Sequence, residues 1–375
     1  MGTSILEHFS TLEDPRIERG KEHQLLDIVV LAICAVVSGA EGWEGIELFG
    51  QTRLAWLRRY VPLAHGIPTH DTLARVLSRV LSRVSARGFE ECFASWVGAC
   101  AAVTAGEVLA IDGKTLRRSH DRRSRQGALH LVSAWATSNR LVLGQRKTAA
   151  HSNEIEAIPK LLEVLELKGC IVTIDAMGCQ TEVAAQIVEQ KADYVLAVKG
   201  NQGELYEELQ EFFAIARAAQ FRGVKHTYHE TVDKGHGRIE VRRYWLSPVL
   251  SGLARPERWS KLKALGLVES ERHVGEKVSI EQRYYICSFD RGAAVFADAV
   301  RRHWAIENSL HWVLDMTFRE DESRIRRGEA PQNFAVLRRM AMNLLKRETT
   351  LNRSVKQRRM KAGWDEAYLG KVLFN

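Results

Sequence analysis

The sequence predicts an α/β protein whose mixed-sheet core carries a β-rich insertion and follows an all-α segment. Three observations predict it. Residues 1–104 place apolar side chains at helical spacing. From Val108 on, short apolar strands alternate with helical patterns, and two of those strands end in aspartate. Between 201 and 290 the pattern becomes alternating apolar and polar, as in antiparallel strands.

The helical segment begins with LLDIVVLAICAVV, which contains a ten-residue apolar run from Ile28 to Val37. A membrane span needs about twenty such residues, so this run is expected to be a buried helix. Trp43, Ile46, Leu48, Phe49, Leu54 and Leu57 fit the apolar positions of the next helix. Pro68, Thr69 and Asp71 mark another helix start, where a short polar side chain caps free N–H groups. A further helix is expected through FEECFASWVGACAAV.

The core is expected to occupy 105–200 and 291–350. VLAID is a strand ending in Asp112, followed by the basic loop LRRSHDRRSRQG. ALHLVSAWAT and RLVLGQRKT form a strand pair turning at Ser138–Asn139. A helix over SNEIEAIPKLLEVLE, capped by Ser152 or Asn153, leads to CIVTIDAMG, a strand ending in Asp175. TEVAAQIVEQK reads as a helix and YVLAVKG as a strand. After the insertion, one long helix is expected from Ala293 to Phe318, then another over QNFAVLRRMAMNLLKRE, then a basic tail at 351–375. This order of elements matches the ribonuclease-H-like fold. There the first and fourth strands lie side by side and the long last helix packs across them.

The chain of 375 residues carries a net charge of +8 and a pI near 9.2, which suits a polyanionic partner, nucleic acid first. The charge is clustered. Arg117, Arg118, His120, Arg122, Arg123 and Arg125 form one group; Lys346, Arg347, Arg353, Lys356, Arg358, Arg359 and Lys361 form another. Six cysteines without a CxxC pair argue against zinc or disulfide frameworks and for reduced thiols in a cytoplasmic protein. The first residues lack the basic and apolar regions of a secretion signal.

Chemistry is expected where the acids sit. Cleaving and joining phosphodiesters needs an activated oxygen, a stabilised leaving oxygen and neutralised phosphoryl charge, which two divalent cations supply. Mg²⁺ takes oxygen ligands and keeps several waters, so two or three carboxylates suffice. Asp112 and Asp175 each follow an apolar strand and an Ile and precede a small residue. On the late helix His303, Glu307 and His311 are spaced to share a face, with Asp315, Glu320 and Asp321 as alternative third acids. The GKT at 113–115 is not a phosphate-binding loop, because Val108 stands where that motif needs glycine. KGNQGEL lacks a dinucleotide-binding frame, and His226, His229 and His236 lack ligand spacing, which favours a surface or DNA-facing role.

Nine stretches carry a resemblance over nearly the whole chain: LEDPR, AEGWEGIELFG, GIPTHDTLARVLS, AIDGKTLRRS, HSNEIEAIP, TIDAMGCQ, YVLAVKGNQ, HGRIEVRRY and HWAIENSLHWVLDMTFREDESRIRRG. In these the sequence resembles the DDE-type insertion-sequence transposases, in the subgroup of the H-repeat-associated proteins. The resemblance implies a helical domain at 1–104 that binds DNA ends, a ribonuclease-H-like catalytic domain, and a β-rich insertion at 201–290. It maps the three metal-binding catalytic acids onto Asp112, Asp175 and Glu307. It implies two Mg²⁺ ions, replaceable by Mn²⁺, cleavage at element ends, and joining of the 3′-OH to target DNA.

Its DNA contacts are expected from Lys114, Arg117, Arg118, Lys199, Asn201, Gln202, Arg238, Arg242, His303, Trp304, His311 and Trp312. End recognition falls to Thr69, His70, Arg75 and Arg79. A homodimer bridging two ends and a place on the bacterial nucleoid are also implied. The wider superfamily sets Tyr, Arg and Lys around the last acid. Here Val300, His303 and Leu314 stand there, leaving His303, His311, Arg301 or Arg302 to substitute. An inactive DNA-binding relic or accessory protein, or a nuclease that cuts without joining, are the competing readings.

Overall fold

The computed structural model describes residues 5–12, 14, 16–17, 21–80, 86–101, 105–120, 127–148, 154–235 and 237–374. Arg122, Arg123 and Arg125 of the first basic cluster, the caps Ser152 and Asn153, His236 and the side chain of Arg79 lie outside the described residues.

Among the described residues, every regular element before Val108 is helical: α1 (Ile5–Ser10), α2 (Leu25–Val37), α3 (Trp43–Leu57), α4 (His70–Arg75), running into a π turn at Val76–Val80, and α5 (Ala86–Cys100). The apolar run lies in α2 and is buried on all sides, which its lack of a polar stripe requires. The one acid of α2, Asp27, is satisfied by accepting the Leu63 N–H at 3.0 Å. Thr69 caps α4 as its sequence position predicts, accepting from the Thr72 N–H.

Among the described residues, the rest is mixed α/β around one large sheet of nine strands, in the order β3-β2-β1-β4-β5-β9-β8-β7-β6. Its first half comprises β1 (Val108–Leu116), β2 (Leu129–Ala136), β3 (Leu141–Lys147), β4 (Ile171–Ile174) and β5 (Asp193–Val198). Two helices connect these strands, α6 (Glu154–Leu162) before β4 and α7 (Thr181–Glu189) before β5. β1 runs antiparallel to β2 and parallel to β4, and β4 parallel to β5. Helix α8 (Gly203–Ala218) then leads to β6 (Thr227–Gly235), β7 (Arg238–Ser247), β8 (Ala264–Val274) and β9 (Lys277–Cys287). β9 pairs with β5, so the insertion continues the core sheet.

The late helix is one rod with a defect: α9 (Ala293–Ile306), a π turn (Glu307–His311) and α10 (Trp312–Phe318). Phe296, Ala297 and Val300 of α9 pack on Val108, Ile171 and Val195, across the face of β1, β4 and β5. The opposite face joins the N-terminal helices in the larger core, together with α11 (Ala330–Arg347). Asn343 of α11 exchanges two hydrogen bonds with the backbone of Val142 in β3, at 3.0 and 2.8 Å. That pairing satisfies an edge strand that would otherwise expose free backbone groups.

The expected basic tail is instead two helices, α12 (Val355–Trp364) and α13 (Glu366–Phe374). Tyr368, Leu369, Val372 and Leu373 recur at helical spacing and are buried. Arg359 is buried too, donating to the carbonyls of Val36, Ala40 and Thr317. Part of the second basic cluster therefore holds the fold together.

Candidate active site

The register of β1 against β4 sets the site. Ile111 stands opposite Ile174, so Asp112 and Asp175 follow as the next residue on two adjacent parallel strands. Neighbouring strands lie about 4.8 Å apart. Buried apolar residues anchor both strands up to that point, and both chains then turn polar at the same level.

Each aspartate is fixed locally. Asp112 accepts from the Gly113 N–H at 2.9 Å, and its other oxygen meets His311 Nε2 at 3.0 Å. Asp175 accepts from the Met177 N–H at 3.1 Å and caps a 3₁₀ turn at Ala176–Gly178. That turn is held from outside. Asn201 donates to the Ala176 carbonyl at 2.6 Å, and Gln202 to the Cys179 carbonyl at 2.8 Å. Gly178 has no room for a side chain, since a Cβ would lie 2.4 Å from Ile174 Cγ2 and 2.6 Å from Ile158 Cδ1.

The two carboxyls are tuned in opposite directions. Burial works against the Asp112 charge, but the His311 hydrogen bond, the nearby imidazoles of His311 and His303, and the Gly113 N–H outweigh it and lower its pKa. Burial raises that of Asp175, and the like charges of Glu154 and Asp112 raise it further. Hard oxygen donors that repel one another suit a divalent cation, whose charge removes the repulsion. Among the described residues, no group of three or more His, Cys, Asp or Glu side chains is drawn together tightly enough to hold a metal ion.

Glu307 opens the π turn and is exposed. It lines a groove of about 710 Å³ together with Arg238, Arg242, Arg301 and Trp304. His303, Glu307 and His311 therefore do not share an environment: Glu307 is exposed, whereas both histidines are buried. His303 and His311, expected as DNA contacts, are both buried and turned inward. His303 meets Thr173 Oγ1 at 3.1 Å and His311 meets Asp112.

The other expected DNA contacts divide the same way. The Lys114 side chain is only 10% exposed, and its ammonium is paired with Asp315, with Glu320 at 3.3 Å and with Asp321 at 3.7 Å. Its charge is neutralised inside the protein. Asn201 and Gln202 spend their amides on the turn after Asp175. Arg117 is 82% exposed although it touches Asp321. Arg118, Lys199 and Arg238 are exposed. Arg242 pairs with Asp233 and Glu240. Trp304 is partly exposed with Arg283 stacked 4.5 Å from its ring, and Trp312 is more exposed.

Two residues not singled out in the sequence adjoin the acids. His130 of β2 and Glu154, the first residue of α6, meet at 2.7 Å beside Gly113. HSNEIEAIP, one of the recurring stretches, contained the signal.

Comparison with known proteins resolves the ancestry. The family described as "Transposase DDE domain" matches residues 104–344, and "DDE_Tnp_1-associated" matches residues 6–97. The chain belongs to the DDE transposase family. YncI of Escherichia coli O157:H7 is 44% identical over 99% of this chain and 94% of its own length. The H repeat-associated YhhI of Escherichia coli K12 is 42% identical over 98% of this chain and 97% of its own. Both names carry the word transposase. A shorter relative, the "Inactive transposase YbfQ" of the same strain, is 53% identical over 20% of this chain and 88% of its own. A piggyBac transposase synaptic complex with hairpin DNA aligns with a TM-score of 0.47 and 13% identity, covering 98% of this chain and 78% of that one. Among the described residues of this DDE transposase family member, no helix is long and apolar enough to cross a membrane.

Proposed function

We propose that the protein is a DNA transposase that cuts phosphodiester bonds at the ends of an insertion element and joins the freed 3′-OH to target DNA. The observation that carries this reading is the register that sets Asp112 beside Asp175 on adjacent parallel strands. The order β3-β2-β1-β4-β5, with α9 across β1, β4 and β5, supports a ribonuclease-H-like catalytic core behind an all-α N-terminal domain.

In this reading Asp112, Asp175 and Glu307 hold two divalent cations, Mg²⁺ or Mn²⁺. When bound, these supply nucleophile activation and charge neutralisation at the phosphoryl group. His311 keeps Asp112 ionised and oriented. The 3₁₀ turn, tied by Asn201 and Gln202, fixes Asp175. Arg117, Arg118, Lys199, Arg238 and Arg242 contact phosphates, and the exposed faces of Trp304 and Trp312 offer stacking surfaces to unpaired bases. Residues 1–104 bind the element end. A homodimer would bring two ends together, and DNA binding would place the protein on the nucleoid.

The test is Mg²⁺- or Mn²⁺-dependent cleavage and strand transfer on DNA bearing the element end, with Asp112→Ala, Asp175→Ala and Glu307→Ala beside the wild type. Cutting and joining by the wild type, lost in all three variants, is the expected result. Cutting without joining would make it a nuclease. Binding without cutting would make it an inactive relative, a state that the name of YbfQ records for one member of the family. Retained cutting in Glu307→Ala alone would move the third acid to Asp315 or Asp321.

A further inference from the structure

Beside Gly113 the site holds a second hydrogen-bonded arm. Thr115 Oγ1 of β1 meets His130 Nδ1 at 2.8 Å, and His130 Nε2 meets Glu154 Oε1 at 2.7 Å. With Nε2 protonated, the imidazole donates to the carboxylate and accepts from the Thr115 hydroxyl, so both ring nitrogens are satisfied. This arrangement is the one found where an outer hydrogen bond orients a carboxylate toward a cation.

The arm reaches into the space above Gly113. A Cβ built there would lie 2.0 Å from Glu154 Oε1 and 2.6 Å from His130 Nε2. The carboxylate thus occupies the place a side chain would take on the residue following Asp112. The Glu154 side chain is 15% exposed. A carboxylate standing over Gly113, the residue after Asp112, meets like charge there, which a divalent cation would offset. An ion pair serving only to tie α6 to β2 has no need to stand there.

We propose that Glu154, oriented by the Thr115–His130 pair, is a further acid of the active centre and contributes to divalent-cation binding beside Asp112 and Asp175. The proposal rests on the transposase reading of the site. Mg²⁺ and Mn²⁺ keep several coordinated waters, so a carboxylate at this position serves by accepting from them as well as by direct contact.

The test measures Mn²⁺ binding to the full chain by calorimetry and by loss of the free-ion electron-spin resonance signal, with no DNA present. The variants are Glu154→Gln, His130→Gln, Asp112→Asn and Asp175→Asn, and thermal unfolding is followed in parallel. Glu154→Gln keeps the shape and the hydrogen bond to His130 but removes the charge. It is expected to raise the Mn²⁺ dissociation constant about tenfold or more without lowering the unfolding midpoint, and His130→Gln to raise it less. Unchanged Mn²⁺ affinity and stoichiometry in Glu154→Gln, with binding lost in Asp112→Asn and Asp175→Asn, would overturn the proposal and leave the centre standing. No Mn²⁺ binding by the wild type would overturn both.

Discussion

Lys114 follows Asp112 by two residues and was expected to grip DNA phosphate, but its surroundings predict a different role. It enters a cluster with Asp315, Glu320 and Asp321, and Glu320 is also bound by Arg339 at 2.8 Å with both side chains fully buried. Burial alone would push the Glu320 carboxyl up. Arg339, then Lys114 and Arg338, overcome it and bring it from the ordinary 4.5 down to about 2. That difference corresponds to about 3 kcal/mol favouring the charged form in the folded state. Replacing Lys114 by Met removes one of three cations and leaves three carboxylates facing one another. The expected loss is about 1–3 kcal/mol at pH 7. The sign follows from a lowered carboxylate: its contribution is complete above 4.5 and fades as pH falls toward 2. Urea unfolding should therefore show Lys114→Met well below wild type at pH 7, with the gap narrowing by pH 3. Affinity for non-specific DNA should keep its salt dependence. An unchanged urea midpoint, with the slope of log affinity against log salt reduced by about one, would refute the reasoning and return Lys114 to the DNA surface.

Asp175 carries a raised carboxyl, so its charge costs stability as pH climbs above the ordinary value of 3.8. Asp175→Asn should raise the cation-free thermal midpoint at pH 7, and added Mn²⁺ should stabilise the wild type but not the variant. Lys346 is half-buried, donates to the Ser309 carbonyl in the π turn at 2.8 Å, and is lowered by burial from 10.5 to about 7. The unfolded chain then binds the extra proton between those values, so wild-type stability should rise from pH 7 to pH 9; Lys346→Met should flatten that rise in urea titrations. Gly178→Ala should cost about 1–3 kcal/mol, because its methyl group collides with Ile174 and Ile158. Chemical denaturation checks the loss, and weaker Mn²⁺ binding should accompany it, since the turn capped by Asp175 must shift.

What was legible in the sequence followed from short-range rules. Strands that stay apolar up to an aspartate are visible in VLAID and VTID, and the helix start at Thr69 in its capping residue. The order of core elements and the strand character of the insertion were legible for the same reason. What was not legible depends on partners far apart in sequence or on a change of period. Lys114 meets Asp315, Glu320 and Asp321 only in the folded chain, so as an isolated cation it read as a DNA contact. Arg359 read as part of a basic tail because the apolar pattern of Tyr368, Leu369, Val372 and Leu373 was outweighed by its charges. His303, Glu307 and His311 fit a single α-helical face on paper. The π turn between Glu307 and His311 breaks that period, and sequence periodicity carries no mark of one extra residue.

That break has a physical logic. The turn begins at Glu307, so the residues it rotates relative to α9 are those that follow, His311 among them. Glu307 faces the groove lined by Arg238, Arg242 and Arg301, while His311 reaches Asp112. Lys346 holds the Ser309 carbonyl of the turn at the expense of burying an amine over Trp135. Two costs thus meet at this end of the sheet: a half-buried lysine amine and a pair of repelling aspartates. A fold that needed only stability would shed both by ordinary substitutions, so their persistence argues that this end of the sheet is arranged around positive charge brought from outside the chain.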